Sequence, residues 1–344
     1  MTTRLEKPLA SMRKVSVIMP CFNGDKYINE AIESVLSQTY TNIELVIVND
    51  GSEDTSEKVI RHYSDNRNII YVKHNKNMGI PSARNTGVRE SSGELIAFLD
   101  QDDLWLPNKI TEQTDFLSSL DDSQVGLVFS DILCLNGEVL TAGDWPSRAV
   151  PIDMNSLSSL QILEHLFLCN NFIPMSTVVV HRKCFEIVGL LDERILGGAD
   201  DYEFFLRISA KYLIRYIDRP LAIRRLHPGN YTDAVKMSID QQMITEIVVR
   251  SCPELAPLKR KKYASIYNTL GKHFLCIHDS SNAKACFRLA IRMKPGDAGY
   301  WFGYLEYLIA VYCGEQARMR VHSLGKKLLR KLRTERRPRI GSTN

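Results

Sequence analysis

The sequence predicts an α/β protein whose open, mostly parallel, twisted sheet carries helices on both faces, followed by an all-α appendix. Over roughly the first 135 residues, strand-like segments alternate with helix-like ones. The strand-like segments are short, rich in Val and Ile, and end in polar or turn residues: VSVIMP (15–20), IELVIVND (43–50), IIYVKH (69–74), LIAFLD (95–100) and VGLVFSDI (125–132). Strands that alternate with helices are joined by right-handed crossovers, which produces a mostly parallel sheet covered on both sides.

The segments between these strands have helical spacing. In YINEAIESVLSQ (27–38), for example, the apolar residues recur on one face of a helix. Residues 136–230 follow a less regular pattern. They contain a predicted helix at 156–168, a β-rich run at 173–180 and the acidic segment GGADDYEFFLRIS (197–209).

After Pro253 the pattern becomes helical. Its aromatic and small residues resemble a tetratricopeptide repeat, and Trp301 follows Tyr267 by 34 residues, the length of one repeat. About one and a half repeats fit, whereas a free-standing solenoid needs at least about three. We therefore expect a helical appendix packed on the main domain.

Composition places the chain among ordinary globular proteins. It has 344 residues, 24% charged and 44% hydrophobic, which is enough for more than one domain. The eight cysteines are scattered without a C-x-x-C pair, a pattern that argues against zinc or a disulfide framework and favours reduced thiols in the cytosol. No signal peptide and no apolar run long enough to span a bilayer are evident, so we expect a cytoplasmic location.

The net charge of +4 conceals a basic tail. Between Arg318 and Arg339, ten Lys or Arg residues face one acid, Glu335, and leucines are interleaved with them at helical spacing. A cationic face beside an apolar stripe is typical of segments that lie on anionic membrane surfaces. We therefore expect loose docking on the cytoplasmic face of a membrane, with a solvated tail as the alternative, and we expect no nucleic-acid partner.

The segment FLDQDD (98–103) predicts a ligand site. The apolar run LIAFL (95–99) stops abruptly at Asp100, Asp102 and Asp103, and the carboxyl ends of buried parallel strands are where open α/β sheets bind ligands. Carboxylates packed this closely repel one another unless a cation neutralises them. Magnesium is usually held through one or two carboxylates together with substrate phosphates. The alternative is a solvated acidic turn that caps the next helix.

Other polar residues follow the predicted strands. Pro20, Asn23 and Gly24 form a turn after the first strand, where the backbone can approach a ligand closely. Asp50 ends the second strand, where it faces the same crevice or caps the Asn-Asp-Gly-Ser turn. Arg84 follows a glycine turn on a helix and suits a phosphate or a planar base edge. No G-x-G-x-x-G follows the first strand, which disfavours a Rossmann dehydrogenase.

Taken together, these segments resemble those of family 2 glycosyltransferases, the inverting enzymes with the nucleotide-diphospho-sugar transferase fold. The resemblance runs in order over residues 14–230 and rests on VSVIMPCFNG, IELVIVNDGSEDTS, NMGIPSARNTGV, GELIAFLDQDDLWLPNKI, GADDYEFFLRIS and RRLHPGN. It implies a catalytic domain at 14–235, with a nucleotide-sugar half at 14–135 and an acceptor half at 136–235. The rest divides into an N-terminal extension at 1–13, a helical region with the tetratricopeptide-like pattern at 236–317 and the basic tail at 318–344.

The resemblance implies roles for individual residues. It matches Asp201 to the catalytic base and Asp50 to the acid that hydrogen-bonds the nucleotide base. Asp102 and Asp100 match the acids of the D-x-D motif, with Asp102 nearer to a divalent metal, Mg or Mn. His227 matches a histidine near the metal and diphosphate in some members, with a structural role as the alternative. Nucleotide-sugar binding falls on Pro20, Phe22, Asn23, Asp50, Arg84, Asp100, Gln101 and Asp102.

The implied chemistry is a single displacement at an anomeric carbon. Asp201 would take the proton of the attacking acceptor hydroxyl as general base, opposite the leaving diphosphate, so that the anomeric configuration inverts. Asp200 stands where the family usually has Glu. The alternative for this residue is that it caps the helix at 202–210.

The implied function is metal-dependent transfer of a sugar from a nucleotide-diphosphate donor to a hydroxyl acceptor. The expected donor is a uridine diphosphate (UDP) sugar. The expected acceptor is a polysaccharide, a lipid-linked glycan or another cell-surface glycan. One alternative is a sugar nucleotidyltransferase, but PCFNGDKY lacks the Gly-rich, Arg-containing loop expected there. The other is a non-enzymatic scaffold built on the helices and the basic tail, which leaves the two acidic clusters unexplained.

Overall fold

The computed structural model describes residues 12–120, 124–142, 150–151, 153–227, 234–313, 316–319 and 322–323. The chain forms two compact units, Met1–Pro253 and Glu254–Asn344. Most of the predicted N-terminal extension and of the predicted basic tail, including residues 1–11 and 324–344, lies outside the described residues. The first unit extends beyond residue 235, where the sequence-based division ends the catalytic domain, and includes one more helix.

Strands and helices alternate through the described part of the first unit. The strands are β1 Val15–Cys21, β2 Ile43–Asn49, β3 Ile69–Lys73, β4 Leu95–Phe98, β5 Leu104–Trp105, β6 Val125–Asn136, β7 Val139–Ala142, β8 Val179–His181 and β9 Leu213–Leu226. The helices are α1 Ile28–Leu36, α2 Ser56–Arg61, α3 Ile80–Glu90, α4 Lys109–Ser119, α5 Ser159–Cys169, α6 Arg182–Val188, α7 Asp200–Ser209 and α8 Ala234–Ser251. The second unit contains α9 Lys259–Cys276, α10 Ser280–Met293 and α11 Ala298–Cys313. None of these described helices combines the length and apolarity needed to cross a membrane.

A mixed sheet forms the centre of the first unit. Its strand order is β3-β2-β1-β4-β8-β6-β9-β5, and β7 pairs with β6. Strand β1 pairs in parallel with β2 and β4, and β2 pairs in parallel with β3. The carboxyl ends of these four strands therefore meet at one edge of the sheet, the edge at which open α/β sheets bind ligands.

The sheet departs from a parallel arrangement at β5, which is antiparallel to β9, at β7, which is antiparallel to β6, and at β8. Strand β8 lies between β4 and β6 and is antiparallel to both. Consequently β6 runs in the same direction as β4, and it pairs in parallel with β9. The five strands predicted in the first 135 residues thus share one direction, and the α/β fold class is confirmed. Strand β8 overlaps the β-rich run predicted at 173–180, but its reversed direction could not be predicted, because a short apolar run carries no information about its direction.

Helix α3 packs closely on the sheet near the ligand-binding edge. Gly87 of this helix lies against β1, where an added Cβ would stand 2.3 Å from Cγ2 of Ile18. A side chain at this position would push the helix away from the strand. The close packing also buries Arg84, one turn earlier on α3, to 4% exposure.

The second unit packs three helices around an aromatic side chain. Phe287 of α10 is fully buried, with Leu275, Ala283 and Tyr307 in the same cluster. Gly271 of α9 and Gly303 of α11 lie against its ring, since an added Cβ would come within 2.9 and 2.8 Å of it. The predicted all-α appendix is therefore confirmed, whereas its assignment to the tetratricopeptide class stays a prediction.

Candidate active site

The site lies at the carboxyl ends of β1, β2 and β4. The last residue of β1 contacts the residue after β2, because the Asp50 N–H donates to the Cys21 carbonyl at 2.7 Å. Pro20 lies within β1, not in the turn that the sequence predicted for it. β1 pairs with β4 only as far as Ile18, so the missing N–H of Pro20 deprives β4 of no partner.

Gln101 connects the turn after β4 to the turn after β1 through two hydrogen bonds. Its Oε1 accepts from the Phe22 N–H at 2.9 Å, and its Nε2 donates to the Phe22 carbonyl at 3.0 Å. Gly24 makes room for this amide, since an added Cβ would stand 2.1 Å from Oε1 of Gln101. Asn23, at a φ of 49°, accepts from the Glu53 N–H at 2.9 Å. In this structure Phe22, Asn23 and Gln101 hold the loops together through hydrogen bonds. Their contacts with a nucleotide-sugar stay predictions.

Ser176 forms hydrogen bonds with the acidic turn at 100–103. Sequence reasoning did not identify this residue. Its hydroxyl donates to Oδ2 of Asp103 at 2.6 Å and accepts from the Asp100 N–H at 3.2 Å. Its carbonyl accepts from Trp105 Nε1 at 2.7 Å. Burial, together with the charges of Asp100 and Asp102, raises the pKa of Asp103 well above its usual value. Asp103 is therefore part of the turn's scaffold.

Asp102 pairs with His227, as the resemblance implied that they would lie together. Its Oδ2 is 2.9 Å from Nε2 of His227, across 125 residues of sequence. The imidazole ring lies against the ring of Tyr27, with the ring centroids 4.8 Å apart and the planes tilted by 37°. The guanidinium of Arg225 covers the same Tyr27 ring at 4.8 Å, and its backbone N–H donates to Asp103 Oδ1 at 3.2 Å. The end of β9 is thus docked against the acidic turn.

These two side chains fit a divalent ion. Among the described residues, no group of three or more His, Cys, Asp or Glu side chains could hold a metal by itself. An ion shared with a diphosphate needs fewer protein ligands, because Mg²⁺ is usually bound by one or two carboxylates plus phosphate oxygens and water. Asp102 and His227 supply one carboxylate and one imidazole. Asp100 is engaged elsewhere, and its predicted role as a metal ligand stays a prediction.

Arg84 joins the two acidic clusters that the sequence presented separately. Its Nη2 donates to Oδ1 of Asp100 at 2.8 Å, and its Nη1 donates to Oδ2 of Asp200 at 2.6 Å. Asp200 is 2% exposed. The N-cap of α7 is Ala199 and no side chain caps this helix, so Asp200 does not act as the helix cap. The predicted contacts of Arg84 with the base and diphosphate stay predictions.

Asp201 is the next residue of α7 and is partly buried. Its Oδ2 accepts from Nδ2 of Asn171 at 2.9 Å, and its Oδ1 accepts from the Tyr202 N–H at 2.6 Å. Burial and the adjacent Asp200 raise the pKa of this carboxyl to about 7, against the opposing charge of Arg84. A carboxylate with a pKa near neutrality is well suited to general base catalysis.

Asp50 is buried and organises a loop. Its Oδ1 accepts from the Met78 N–H at 2.9 Å, and its Oδ2 accepts from the Gly79 N–H at 2.8 Å. His74 lies 2.6 Å from Oδ1 through Nδ1 and 3.0 Å from the Thr86 hydroxyl through Nε2. Sequence reasoning missed His74, because no local pattern links it to Asp50. The contact of Asp50 with a nucleotide base stays a prediction.

The alternative role of Asp50 as a turn cap is filled by its neighbour. Asn49 Oδ1 accepts from the Ser52 N–H at 2.8 Å and so closes the Asn-Asp-Gly-Ser turn. Gly51 in this turn has a φ of 73°, which favours glycine. The Asp50 carboxylate is therefore directed at the backbone of Met78 and Gly79 and away from the turn.

Comparison with known proteins identifies the family. The glycosyl transferase family 2 model matches residues 16–138. A relative from Escherichia coli, the UDP-Glc:alpha-D-GlcNAc-diphosphoundecaprenol beta-1,3-glucosyltransferase WfaP, is 41% identical over 202 residues, covering 58% of this chain and 72% of the relative. The chain belongs to glycosyltransferase family 2. An uncharacterized glycosyltransferase from Rickettsia conorii is 34% identical over 232 residues, covering 66% of this family 2 chain. That match spans only 36% of the relative's length.

Solved structures show the same fold for this family 2 glycosyltransferase. Staphylococcus aureus TarS 1-349 in complex with UDP-GlcNAc has a TM-score of 0.59 at 16% identity, covering 88% of this chain and 92% of that one. The mannosyltransferase PcManGT from Pyrobaculum calidifontis, in complex with GDP-Man and Mn²⁺, has a TM-score of 0.55 at 17% identity, covering 92% and 87%. At such identities the likeness shows the fold alone, and it confirms the predicted fold class.

Proposed function

We infer that this glycosyltransferase moves a sugar from a UDP-sugar to a hydroxyl of a lipid-linked glycan or polysaccharide, with inversion and with a divalent ion. The observation that carries this proposal is the Arg84 bridge, which brings the acidic turn and the start of α7 into one site. WfaP, as its name states, uses UDP-Glc and a diphosphoundecaprenol-linked acceptor. The TarS complex contains UDP-GlcNAc and the mannosyltransferase complex contains GDP-Man and Mn²⁺, which supports the choice of donor class and cofactor.

In the proposed reaction Asp201 accepts the proton of the acceptor hydroxyl as that oxygen bonds to the anomeric carbon. Asp50 and the loop that it organises bind the nucleotide base, which positions the donor. Asp102 and His227 hold the divalent ion. When bound, the ion offsets the negative charge that grows on the leaving diphosphate. A single base opposite the leaving group supports an inverting displacement.

The test is a donor screen. The purified protein is incubated with a panel of UDP-, GDP- and dTDP-sugars, a divalent ion and a lipid-linked glycan acceptor, and the released nucleoside diphosphate is measured. We expect release from UDP-sugars above all. Consumption of a nucleoside triphosphate with release of pyrophosphate would instead support the nucleotidyltransferase alternative. Binding of no nucleotide at all would support the scaffold alternative.

Asp102→Ala should weaken divalent-ion and donor binding together. Since the Lewis-acid contribution of a metal amounts to several kcal/mol, we expect kcat/KM to fall by about 10²-fold. Thermal unfolding with Mn²⁺ and UDP measures binding apart from turnover, because a ligand of the native state raises Tm. The matched control is Glu53→Ala, which removes an exposed acid from a loop at the same edge. Full wild-type activity in excess chelator would contradict the metal proposal.

We also propose that the protein docks on the cytoplasmic face of an anionic membrane through its basic tail. Trp301 and Tyr312 of α11 are 50% and 80% exposed, and the ten basic residues follow. Each basic residue near an anionic leaflet contributes about 1 kcal/mol. We expect the full chain to cosediment with phosphatidylserine vesicles at low salt, and a variant lacking residues 318–344 to stay in the supernatant. Equal binding by the full chain and the truncated variant would show that the tail is not the anchor.

A further inference from the structure

Asn171 contacts the carboxylate that the proposed function makes the general base. Its Nδ2 donates to Oδ2 of Asp201 at 2.9 Å. Its Oδ1 accepts from the Ile173 N–H at 3.0 Å. A backbone N–H can only donate, so this second bond fixes which end of the amide faces Asp201. The donor end of Asn171 is therefore directed at the carboxylate by the chain's own backbone.

The fold delivers Asn171 to this place through α5. This helix begins with a complete capping box between Ser158 and Gln161. It ends at Asn170, whose φ of 65° turns the chain toward α7. The buried Tyr202 hydroxyl lies 3.3 Å from the carbonyls of both Leu166 and Phe167 in the last turn of α5. The residue after the base thus ties α7 to α5 and fixes the distance that the Asn171 bond spans.

Several charged groups act on the same carboxylate. Asp200 on α7 and Asp100 after β4 disfavour its ionised form, as does burial. Arg84 on α3 and the Tyr202 N–H favour the ionised form. A hydrogen bond from an uncharged amide also stabilises the ionised carboxylate. Because the amide carries no charge, it does not compete with Arg84 for the neighbouring acids. Because Asn171 donates to one of the two oxygens, it also opposes rotation of the carboxylate.

We propose that Asn171 is a positioning residue for the general base, which holds the Asp201 carboxylate in one orientation and stabilises its ionised form. This inference rests on the proposed function, in which Asp201 takes the acceptor proton. Since Asn171 acts on the base and not on the donor, its loss affects turnover and spares donor affinity. It also shifts the acid limb of the rate profile to higher pH, because the ionised base loses a donor.

Two substitutions test this role. Asn171→Leu removes both hydrogen bonds at similar volume. Asn171→Asp keeps an oxygen for the Ile173 N–H but replaces the donor with a second negative charge. The free energy of a hydrogen bond to a charged group corresponds to a factor of about 10 to 100 in an equilibrium or rate constant. We therefore expect kcat to fall by that factor in the Leu variant and further in the Asp variant. The KM for the donor and the Kd of UDP should stay unchanged, and the acid limb should move up by about one pH unit.

Asn155→Leu is the matched control. Asn155 also forms a pair of hydrogen bonds, with the backbone N–H and carbonyl of Tyr216 at 2.8 Å each, away from the catalytic acids. It should lower Tm without moving the acid limb. If Asn171→Leu does not fold, Asn171→Ser supplies the same readouts from a smaller polar side chain.

The outcomes separate this inference from the proposed function. An inactive Asp201→Asn variant beside an Asn171→Leu variant with wild-type kcat and an unmoved acid limb would overturn the positioning role alone. A loss of kcat in Asn171→Leu that is equal at every pH would indicate a purely structural role and would also overturn it. An Asp201→Asn variant with normal turnover would remove the proposed base, and this inference with it.

Discussion

Asp201→Asn is expected to lower kcat by about 10²–10⁴-fold, the usual loss when a positioned base is removed. Donor binding should stay nearly intact, because the proposed base acts on the acceptor. The amide is isosteric with the carboxylate and keeps one oxygen for the Tyr202 N–H, so the fold should persist. Turnover at saturating donor, together with the Kd of UDP from calorimetry, measures the two effects separately. If the variant retained more than a tenth of wild-type kcat, Asp201 could not be the base.

The wild-type enzyme should show the corresponding pH dependence. Burial and the charge of Asp200 raise the pKa of Asp201 to about 7, and the base works in its ionised form. The rate should therefore be constant well above pH 7 and fall by about tenfold per pH unit below it. The matched control is Asp192→Asn, which removes a carboxylate paired with the exposed Arg194 on the loop before α7. This variant should keep the acid limb, and a flat wild-type profile would contradict the assignment.

Arg84→Met is expected to lower the free energy of unfolding by about 3–5 kcal/mol, the usual loss when one partner of a buried ion pair is removed. The substitution leaves Asp200 buried without its cation and leaves Asp100 without its bridge. Urea unfolding at neutral pH measures the loss. Arg84→Lys should recover only part of it, because an ammonium group cannot reproduce the planar fork that spans two carboxylates.

The control for this prediction lies on the same helix. Arg89 is exposed, and its ion pair with Glu193 is long, at 3.8 Å. Arg89→Met should therefore lower the free energy of unfolding by less than about 1 kcal/mol. The double variant Arg84→Met with Asp200→Asn should be more stable than Arg84→Met alone, since the unpaired charge is gone. A loss for Arg84→Met as small as that for Arg89→Met would show that the bridge does not stabilise the fold.

Much of the architecture could be predicted because it follows local rules. The strands at 15–21, 43–49 and 95–98 are continuous apolar runs that end in polar residues, and both faces of such strands are buried. Parallel strands bring their carboxyl ends to one edge, so Asp50 and Asp100 both follow strands at this edge. The direction of β8, which overlaps the β-rich run predicted at 173–180, was not predicted, because direction is set by connections and not by composition.

The acidic residues of the candidate site could be predicted from the sequence, but the residues that contact them could not. Asp102 and Asp201 were identified by their positions at the ends of a strand and the start of a helix within a family pattern. Ser176, His74 and Asn171 were missed. Each contacts an acid from a distant part of the chain, and a single Ser, His or Asn gives no periodic signal.

The fold class, the family and the acids around which the site is built can be predicted from the amino-acid sequence, because apolar periodicity, turn residues and motif spacing are local features of the chain. The partners that hold those acids are known from the folded structure alone. The structure pairs Arg84 with both clusters, Asp102 with His227, and Asp201 with Asn171. The physical reason is that burial makes an unpaired charge costly, and the partner that offsets this cost is chosen by proximity in space, for which separation along the chain gives no measure.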